Sequence, residues 1–382
     1  MDQGLVEIVR SSFLSHFGKK PTLIWSPGRI NIIGEHTDYN QGFVMPAAID
    51  RGIVMAISQA QNGRGQWIAT DVKDSYSPDS SPSPTPKSSG WKPYLLGILS
   101  ELRKKGIQPG PVDVVFSGNI PPGAGLSSSA ALENAFVFGL NEIYKLGLSP
   151  MEMVHISHAA EQDYVGVRCG IMDPYASMFG HAGKAIFLDC RSLVSEMIPV
   201  HLEDCQWILL DTGVQHSLAD SAYNQRREVC EAIAARLEVS SLREIDLKQL
   251  DKIRSELPEA DYQKACFVLE ENGRVLKARE ALKKFDLLKL GELMYESHEG
   301  LSKLYEVSCE ELDFLVDLAR ESDGVLGARM MGGGFGGCSL NLVDVNKAHA
   351  FLNNARKRYR ERFNLDMNDY SVSITSGCRL VT

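Results

Sequence analysis

The sequence predicts an α+β protein of two domains, and three observations predict it. At 382 residues the chain is too long for one ordinary core of about 150 residues. Its first half mixes strand-like runs with helical ones. From Ser217 to about Arg320 the pattern is almost wholly helical, after which the tail returns to mixed order.

Taken in order, Thr22–Trp25 and Arg51–Ser58 are β-rich, and Val112, Val114 and Phe116 alternate with Asp113 and Val115 in a strand entering Ser117-Gly118. Between them, Asp74–Gly90 holds seven Ser and four Pro in 17 residues, which reads as a surface loop with no need to pack. Ala130–Leu146 and Met151–Tyr164 place apolar residues at three- and four-residue spacing, so both read as helices. Strands are expected at Lys184–Leu188 and Trp207–Asp211, and helices at Asn224–Leu237 and Ala260–Leu282. The tail then reads as a strand to Met331, a glycine cluster, a strand Ser339–Val343, a helix near Lys347–Arg362 and a strand Tyr370–Thr375. The boundary falls near residue 205, giving domains 1–205 and 206–382, with the tail expected to rejoin one of the sheets.

Composition excludes several classes. A formal net charge of −9 leaves no basic surplus for nucleic-acid binding. No apolar run reaches the roughly 18 residues of a membrane span. Met1–Glu7 starts acidic and has no apolar core, so a secretory signal is not expected. The eight cysteines are dispersed with no C-x-x-C pair, which favours reduced thiols in a cytoplasmic protein over a zinc site or a disulfide framework.

Phosphate could be held by glycine-rich backbone, but not by a P-loop. Gly-Lys occurs only at Gly18-Lys19 and Gly183-Lys184, followed by Lys20 and Ala185. Pro121-Pro122-Gly123-Ala124-Gly125-Leu126-Ser127-Ser128-Ser129 lies between a strand and a helix. Its glycines allow close backbone approach, and its serines fall on a first helical turn, where free N–H groups attract anions. An N-capped helix after a tight turn is the competing reading. Gly332–Gly337 satisfies G-x-G-x-x-G, yet Cys338–Val343 reads as a strand, which argues against a dinucleotide site. Five glycines in six positions point instead to close packing against a ligand or another backbone.

Arg29, Asn31, Glu35, His36 and Asp38 fall within ten residues, interleaved with Ile30, Ile32, Ile33 and Gly34. The alternation suggests a strand ending at Gly34 and a polar loop beyond it. A single His with carboxylates is a poor zinc set, and recognition of a polyhydroxylated molecule suits these groups better. A solvated turn is the alternative. In Cys169–Tyr175, Pro174 suits a first helical position and would make Asp173 an N-cap.

These segments together resemble the three signature motifs of the GHMP kinases, and the first resembles the galactokinase sugar-binding signature. Gly28–Ile49 carries Gly34-Glu35-His36-Thr37-Asp38-Tyr39-Asn40, Gly123–Ala131 is similar to the ATP-binding motif, and Gly332–Cys338 to the third; Cys169–Asp173 and Asp189-Cys190-Arg191 extend the likeness over nearly the whole chain. The resemblance implies a ribosomal-protein-S5-like N-terminal domain and a ferredoxin-like C-terminal domain with the site between them. It implies transfer of the γ-phosphoryl of ATP to O1 of α-D-galactose, with Mg²⁺ as cofactor; with the charge and hydropathy above, the expected partners are the sugar and ATP and not nucleic acid or membrane, and a monomer is expected. Glu35, His36 and Asp38 would bind sugar hydroxyls, assisted by Tyr223 and the Gly170 backbone. Asp173 would face O1 as base, with Arg29 beside it. A carboxylate beside a guanidinium is a weakened base, so the proton is expected to move late, while Arg29 and Mg²⁺ offset phosphate charge. Gly123, Ala124, Gly125, Leu126, Ser127, Ser128 and Ser129 would hold ATP, the serines cradling its phosphates. Ser129 and Glu161 would hold Mg²⁺, Gly333 and Gly334 would close over the nucleotide, and Trp91 would lie near the adenine.

Two positions depart from the pattern. Pro174 stands where galactokinases usually carry Gln, and Lys92-Pro93 precedes Tyr94 where an Asn is usual. Alternatives within reach are a kinase for N-acetylgalactosamine, arabinose or a uronic acid, and a non-catalytic galactose sensor.

Overall fold

A computed structural model describes residues 2–61, 63–78, 90–215 and 219–381. Its strands are β1 (Thr22–Asn31), β2 (Phe43–Val44), β3 (Pro46–Gln59), β4 (Trp67–Ala69), β5 (Asp74–Tyr76), β6 (Val112–Gly118), β7 (Lys184–Asp189), β8 (Ser195–Pro199), β9 (Cys205–Gln215), β10 (Val325–Met330), β11 (Gly336–Asp344), β12 (Asn368–Val372) and β13 (Arg379–Leu380). The helices are α1 (Gln3–Phe17), α2 (Lys92–Lys104), α3 (Ser128–Tyr144), α4 (Pro150–Ala159), α5 (Met172–Phe179), α6 (Ala219–Arg236), α7 (Leu247–Asp251), α8 (Glu259–Lys283), α9 (Leu287–Lys303), α10 (Glu310–Glu321) and α11 (Ala348–Phe363).

The first sheet runs β13-β1-β3-β6-β4-β5 and is antiparallel except where β4 meets β6. Both of its faces are covered, which is why β1 and β3 are apolar almost throughout. Leu23, Trp25, Val54, Ala56 and Val115 face the Leu5, Val6, Val9 and Phe13 stripe of α1. Ile24, Met55, Ile57, Val114 and Phe116 turn to the other side, under the helices that carry Leu95, Phe136, Val154 and Met172.

The second sheet has the order β10-β11-β9-β12. With helices between β9 and β10 and α11 between β11 and β12, this is the split βαββαβ arrangement of ferredoxin-like domains. One face carries Ile208, Leu210, Ala328 and Val343 onto α10 and α11. Its opposite face, with Trp207, Leu209, Leu340 and Leu342, joins Ile30, Ile32, Ile33, Ala124 and Leu126 of the first half in a single buried core. That shared core sets the two halves of the site in register.

The tail does rejoin the first sheet, through β13 pairing with β1. Strand β1 runs to Asn31, joining the expected run Thr22–Trp25 to the alternating residues from Arg29 and stopping short of Gly34, and α5 begins at Met172 with Ile171 as its cap. Asp173 is therefore the second helical residue and Pro174 the third, not cap and first residue: the first amide needing an intrahelical acceptor is that of Tyr175, which donates to the Ile171 carbonyl at 3.1 Å. In the Ser/Pro stretch the first residues form β5, residues 79–89 lie outside the described ones, and Trp91 caps α2.

Candidate active site

The polar segment after β1 is not a solvated turn. Glu35, His36, Thr37 and Asp38 are all buried, as are Arg29 and Asn31. The β1–β3 register slips between Pro27 and Arg29, an irregularity of the kind that re-aims a side chain. Gly28 sits in that slip with no room for a side chain, since a Cβ there would lie 2.5 Å from the Leu126 carbonyl. The Arg29 amide donates to the same carbonyl at 3.1 Å. Its guanidinium then forks onto Asp173, Nε to Oδ1 at 2.8 Å and Nη2 to Oδ2 at 3.1 Å, while Nη1 donates to the Gly125 carbonyl. Ser127 Oγ donates to Asp173 as well. Burial works against the Arg29 charge, and Asp173, Glu35 and Asp38 more than offset it, so its pKa is raised further.

Arg29 and Asp173 line the smaller of two cavities, and Ser127 is followed at once by Ser128 and Ser129 on the wall of the larger. The smaller, about 260 Å³, is lined by Arg29, Glu35, His36, Asp38, Asp173 and Tyr223, together with Glu161 and Gly332–Phe335. Burial, and then the charge of Asp173, pushes the Asp38 carboxyl up to about 7. Gly170 has to be glycine here, for a Cβ on it would lie 2.0 Å from Asp38 Oδ2. His36 takes a left-handed backbone, φ 61°, uncommon for a residue with a side chain. Asn40 Nδ2 holds its carbonyl at 2.9 Å, and Tyr39, Tyr223 and Tyr305 surround its ring with centroids 5.8, 5.3 and 5.0 Å away. Burial lowers its pKa to about 3, so the ring is neutral at ordinary pH. Glu35 has one oxygen already engaged: Oε1 accepts from the Gly332 amide at 2.8 Å and lies 3.5 Å from buried Arg329.

The larger cavity, about 1180 Å³, is lined by Trp91, Gly123, Ser128, Ser129 and Gly334–Gly337, with Asp71, Lys92 and Tyr94 also on its walls. Helix α3 opens on it without a side-chain cap. Ser127 occupies the cap position at φ 60°, but its hydroxyl is spent on Asp173. First-turn amides of α3 thus face the cavity with the positive end of the helix dipole, an arrangement suited to anions. Ser129 Oγ donates to Glu161 Oε1 at 2.9 Å. Glu161 lies in the π-helical turn Ala160–Val165 that extends α4, and burial, then the charge of Asp173, raises its carboxyl to about 7. Trp91 lies edge-on to Phe116, with its indole N–H on Asp74 at 3.0 Å.

The third glycine segment packs backbone to backbone on the second. A Cβ on Gly332 would meet Gly125 Cα at 3.2 Å, one on Gly337 the Gly123 carbonyl at 3.1 Å, and one on Gly334 the Val307 carbonyl at 2.1 Å. Strand β11 follows at once, so the G-x-G-x-x-G spacing opens no helix. Not every expected residue reaches a cavity wall. The side chains of Ala124 and Leu126 are buried in the shared core. Pro174 is buried outside both cavities, with its carbonyl held by Asn134 Nδ2 at 2.9 Å. Sequence reading gives Tyr39 no role beyond its place in the motif and does not reach Tyr305 or Arg329, whose partners Tyr39 and Asn31 lie 266 and 298 residues away.

Three family models match the chain: a galactokinase galactose-binding signature over residues 11–59, the GHMP kinase N-terminal domain over 93–181 and the GHMP kinase C-terminal domain over 278–361. A galactokinase from Thermotoga maritima is 41% identical over 93% of this chain and 99% of its own length. One from Clostridium perfringens is 38% identical over 97% of this chain and 98% of its own. The crystal structure of Lactococcus lactis galactokinase complexed with galactose superposes with a TM-score of 0.92 at 32% identity, covering 98% of this chain and 100% of that one. Methanococcus jannaschii mevalonate kinase shares the fold, with a TM-score of 0.70 at 19% identity.

Proposed function

The chain belongs to the galactokinase family of GHMP kinases, and from that premise we propose that it transfers the γ-phosphoryl group of ATP to O1 of α-D-galactose, giving galactose 1-phosphate and ADP. The observation that carries this reading is the Arg29–Asp173 pair on the wall of a small cavity rich in buried polar groups, bonded to Ser127 at the cap of the helix whose first-turn serines line a larger cavity.

In this reading the sugar occupies the small cavity. Asp38, His36 and Glu35 meet its hydroxyls, with Tyr223 on the wall and Gly170 packed against Asp38, and Asp173 faces O1. ATP lies in the large cavity, its adenine toward Trp91 and its phosphates over Gly123–Ser129, with Gly334 closing above and Gly333, expected to join it, turned to the small cavity. Phosphoryl transfer has a loose transition state, so holding the two oxygens in line and neutralising charge supplies most of the rate. Arg29 holds the Asp173 carboxylate in place and adds a positive charge where the γ-phosphoryl crosses. The O1 proton passes to Asp173 late, as the new P–O bond forms.

A divalent cation fits the Ser129–Glu161 pair. A hydroxyl and a buried carboxylate 2.9 Å apart are an all-oxygen set. Mg²⁺ characteristically uses one or two such ligands and takes the rest from substrate phosphates and water. When bound, the ion supplies charge neutralisation on the β- and γ-phosphates.

The domain division proposed is 1–205 and 206–382, at the start of β9, with β13 returning to the first sheet. We place the enzyme in the cytoplasm as a monomer. All eight cysteines are unpaired, as a reducing compartment favours, and among the described residues no helix is long and apolar enough to cross a membrane. Light scattering in solution checks the monomer. The function itself is tested by ADP release with galactose, its epimers and N-acetylgalactosamine; turnover with galactose alone or foremost is expected, and preference for another sugar overturns the assignment.

A further inference from the structure

The loop that presents Glu35, His36 and Asp38 has little regular structure, only the short turn Asp38–Asn40. Its two ends are held from the far half of the chain. The Gly34 amide donates to Glu271 Oε1 at 2.9 Å, and the Phe43 amide donates to Asn272 Oδ1 at 2.8 Å. These acceptors are consecutive residues of α8, whose side chains diverge by about 100° and so reach two separate segments.

Both acceptors are themselves fixed. Ser297 Oγ donates to Glu271 Oε1 at 2.7 Å, and Arg274 Nε donates to Glu271 Oε2 at 2.6 Å. Asn272 Nδ2 donates to the Val268 carbonyl at 2.9 Å. Glu271, Asn272 and Ser297 are all buried, where a polar group is costly unless matched. The loop lies directly on the helix, for a Cβ on Gly34 would fall 2.9 Å from Val275 Cγ2 and one on Gly42 2.4 Å from Asn272 Oδ1. Inside the loop, Thr37 Oγ1 lies 2.8 Å from the Gly34 carbonyl and 2.6 Å from that of Phe43, bringing the two ends together.

We propose that Glu271 and Asn272 are positioning residues of the sugar site, clamping both ends of the Gly34–Phe43 loop so that Glu35, His36 and Asp38 are set before substrate arrives. Ordering a free loop costs conformational entropy at every residue, and a clamp in the folded protein moves that cost out of the binding step. Because the clamp belongs to α8, the first half of the chain does not shape the sugar cavity alone. The proposal rests on the reading of the small cavity as the sugar site.

The test uses the full chain carrying Asn272→Ala, which removes an acceptor without stranding a charge, and Glu271→Gln, which keeps the shape and one oxygen. Asn272→Ala is expected to raise the galactose KM about tenfold, with the ATP KM and kcat at saturating sugar within about threefold of wild type. Amide hydrogen exchange should speed up at residues 34–43 and stay unchanged in α3 and β9. Glu271→Gln should show the same pattern with a smaller rise, about threefold. An unchanged galactose KM and unchanged exchange at 34–43 in both variants would overturn the proposal. So would a joint rise of both KM values with exchange spreading through α8 and α9, which marks a merely structural role. If the wild type turns over no sugar, the functional reading fails by itself, and the exchange comparison still decides whether the clamp exists.

Discussion

Asp173→Asn separates base catalysis from binding on the wall of the small cavity. Asparagine keeps the side-chain shape and one acceptor for Arg29 Nε, which now sits 2.8 Å from Oδ1. It removes the charge and turns an NH₂ group toward Arg29 Nη2 and Ser127, both of which donate to Oδ2. Loss of a positioned general base costs about 10²- to 10⁴-fold in kcat, or about 2.7–5.4 kcal/mol of barrier at 1.36 kcal/mol per decade. Stability should also fall. Stranding one member of a buried ion pair costs about 3–5 kcal/mol, and the lower end applies here because Asp173 is 24% exposed and Glu35 and Asp38 also bear on Arg29. Coupled ADP release measures kcat, titration calorimetry measures galactose affinity, and a thermal melt confirms that the variant is folded at the assay temperature. Turnover within about threefold of wild type with sugar affinity intact would refute the base role, given the size of effect expected.

Three further outcomes are expected. Glu161→Gln should raise the Mg²⁺ concentration for half-maximal turnover on the order of tenfold or more, and a wild-type Mg²⁺ titration would remove Glu161 from the metal site. Asp38 and Glu161 both have folded pKa values raised to about 7, so the native state holds more protons than the unfolded chain between about pH 4 and 7. The protein without ligands should therefore lose stability as pH rises through that window, seen as a falling Tm, while kcat/KM should fall as pH drops below about 7 because both carboxylates are needed ionised. Gly170→Ala puts a methyl where Asp38 Oδ2 lies 2.0 Å away, and should raise the galactose KM at least about tenfold with little change in the ATP KM.

What could be read from sequence follows from how local each signal is. The Gly34–Asn40 segment, the serines opening α3 and the glycines before β11 each carry their chemistry within about ten residues, so their types and spacing sufficed. The strand after Gly337 was legible too, and with it the absence of a dinucleotide-type helix. Cap geometry was not: the Asp-Pro pair suggests a cap followed by a first residue, whereas tertiary packing starts α5 two residues earlier than Pro174. The polar-apolar alternation at 29–32 suggested a strand with a polar loop beyond it, but not their burial under a second layer of protein, which no local pattern announces. Arg329 on Asn31 and Tyr305 on Tyr39 join residues 298 and 266 positions apart, and nothing in either neighbourhood marks the partner. Short elements such as β4 and β8 were missed because three to five residues carry too little periodicity.

The return of β13 to β1 has a consequence for biosynthesis. Ile24 and Trp25 pair with Leu380 and Arg379, so one edge of the first sheet stays unpaired until residues more than 350 positions downstream have left the ribosome. Until then the backbone groups of Ile24 and Trp25 on that edge lack the strand that pairs with them in the finished protein. An exposed apolar edge is a template for association with other chains. Shortening the chain before Arg379 would make that exposure permanent.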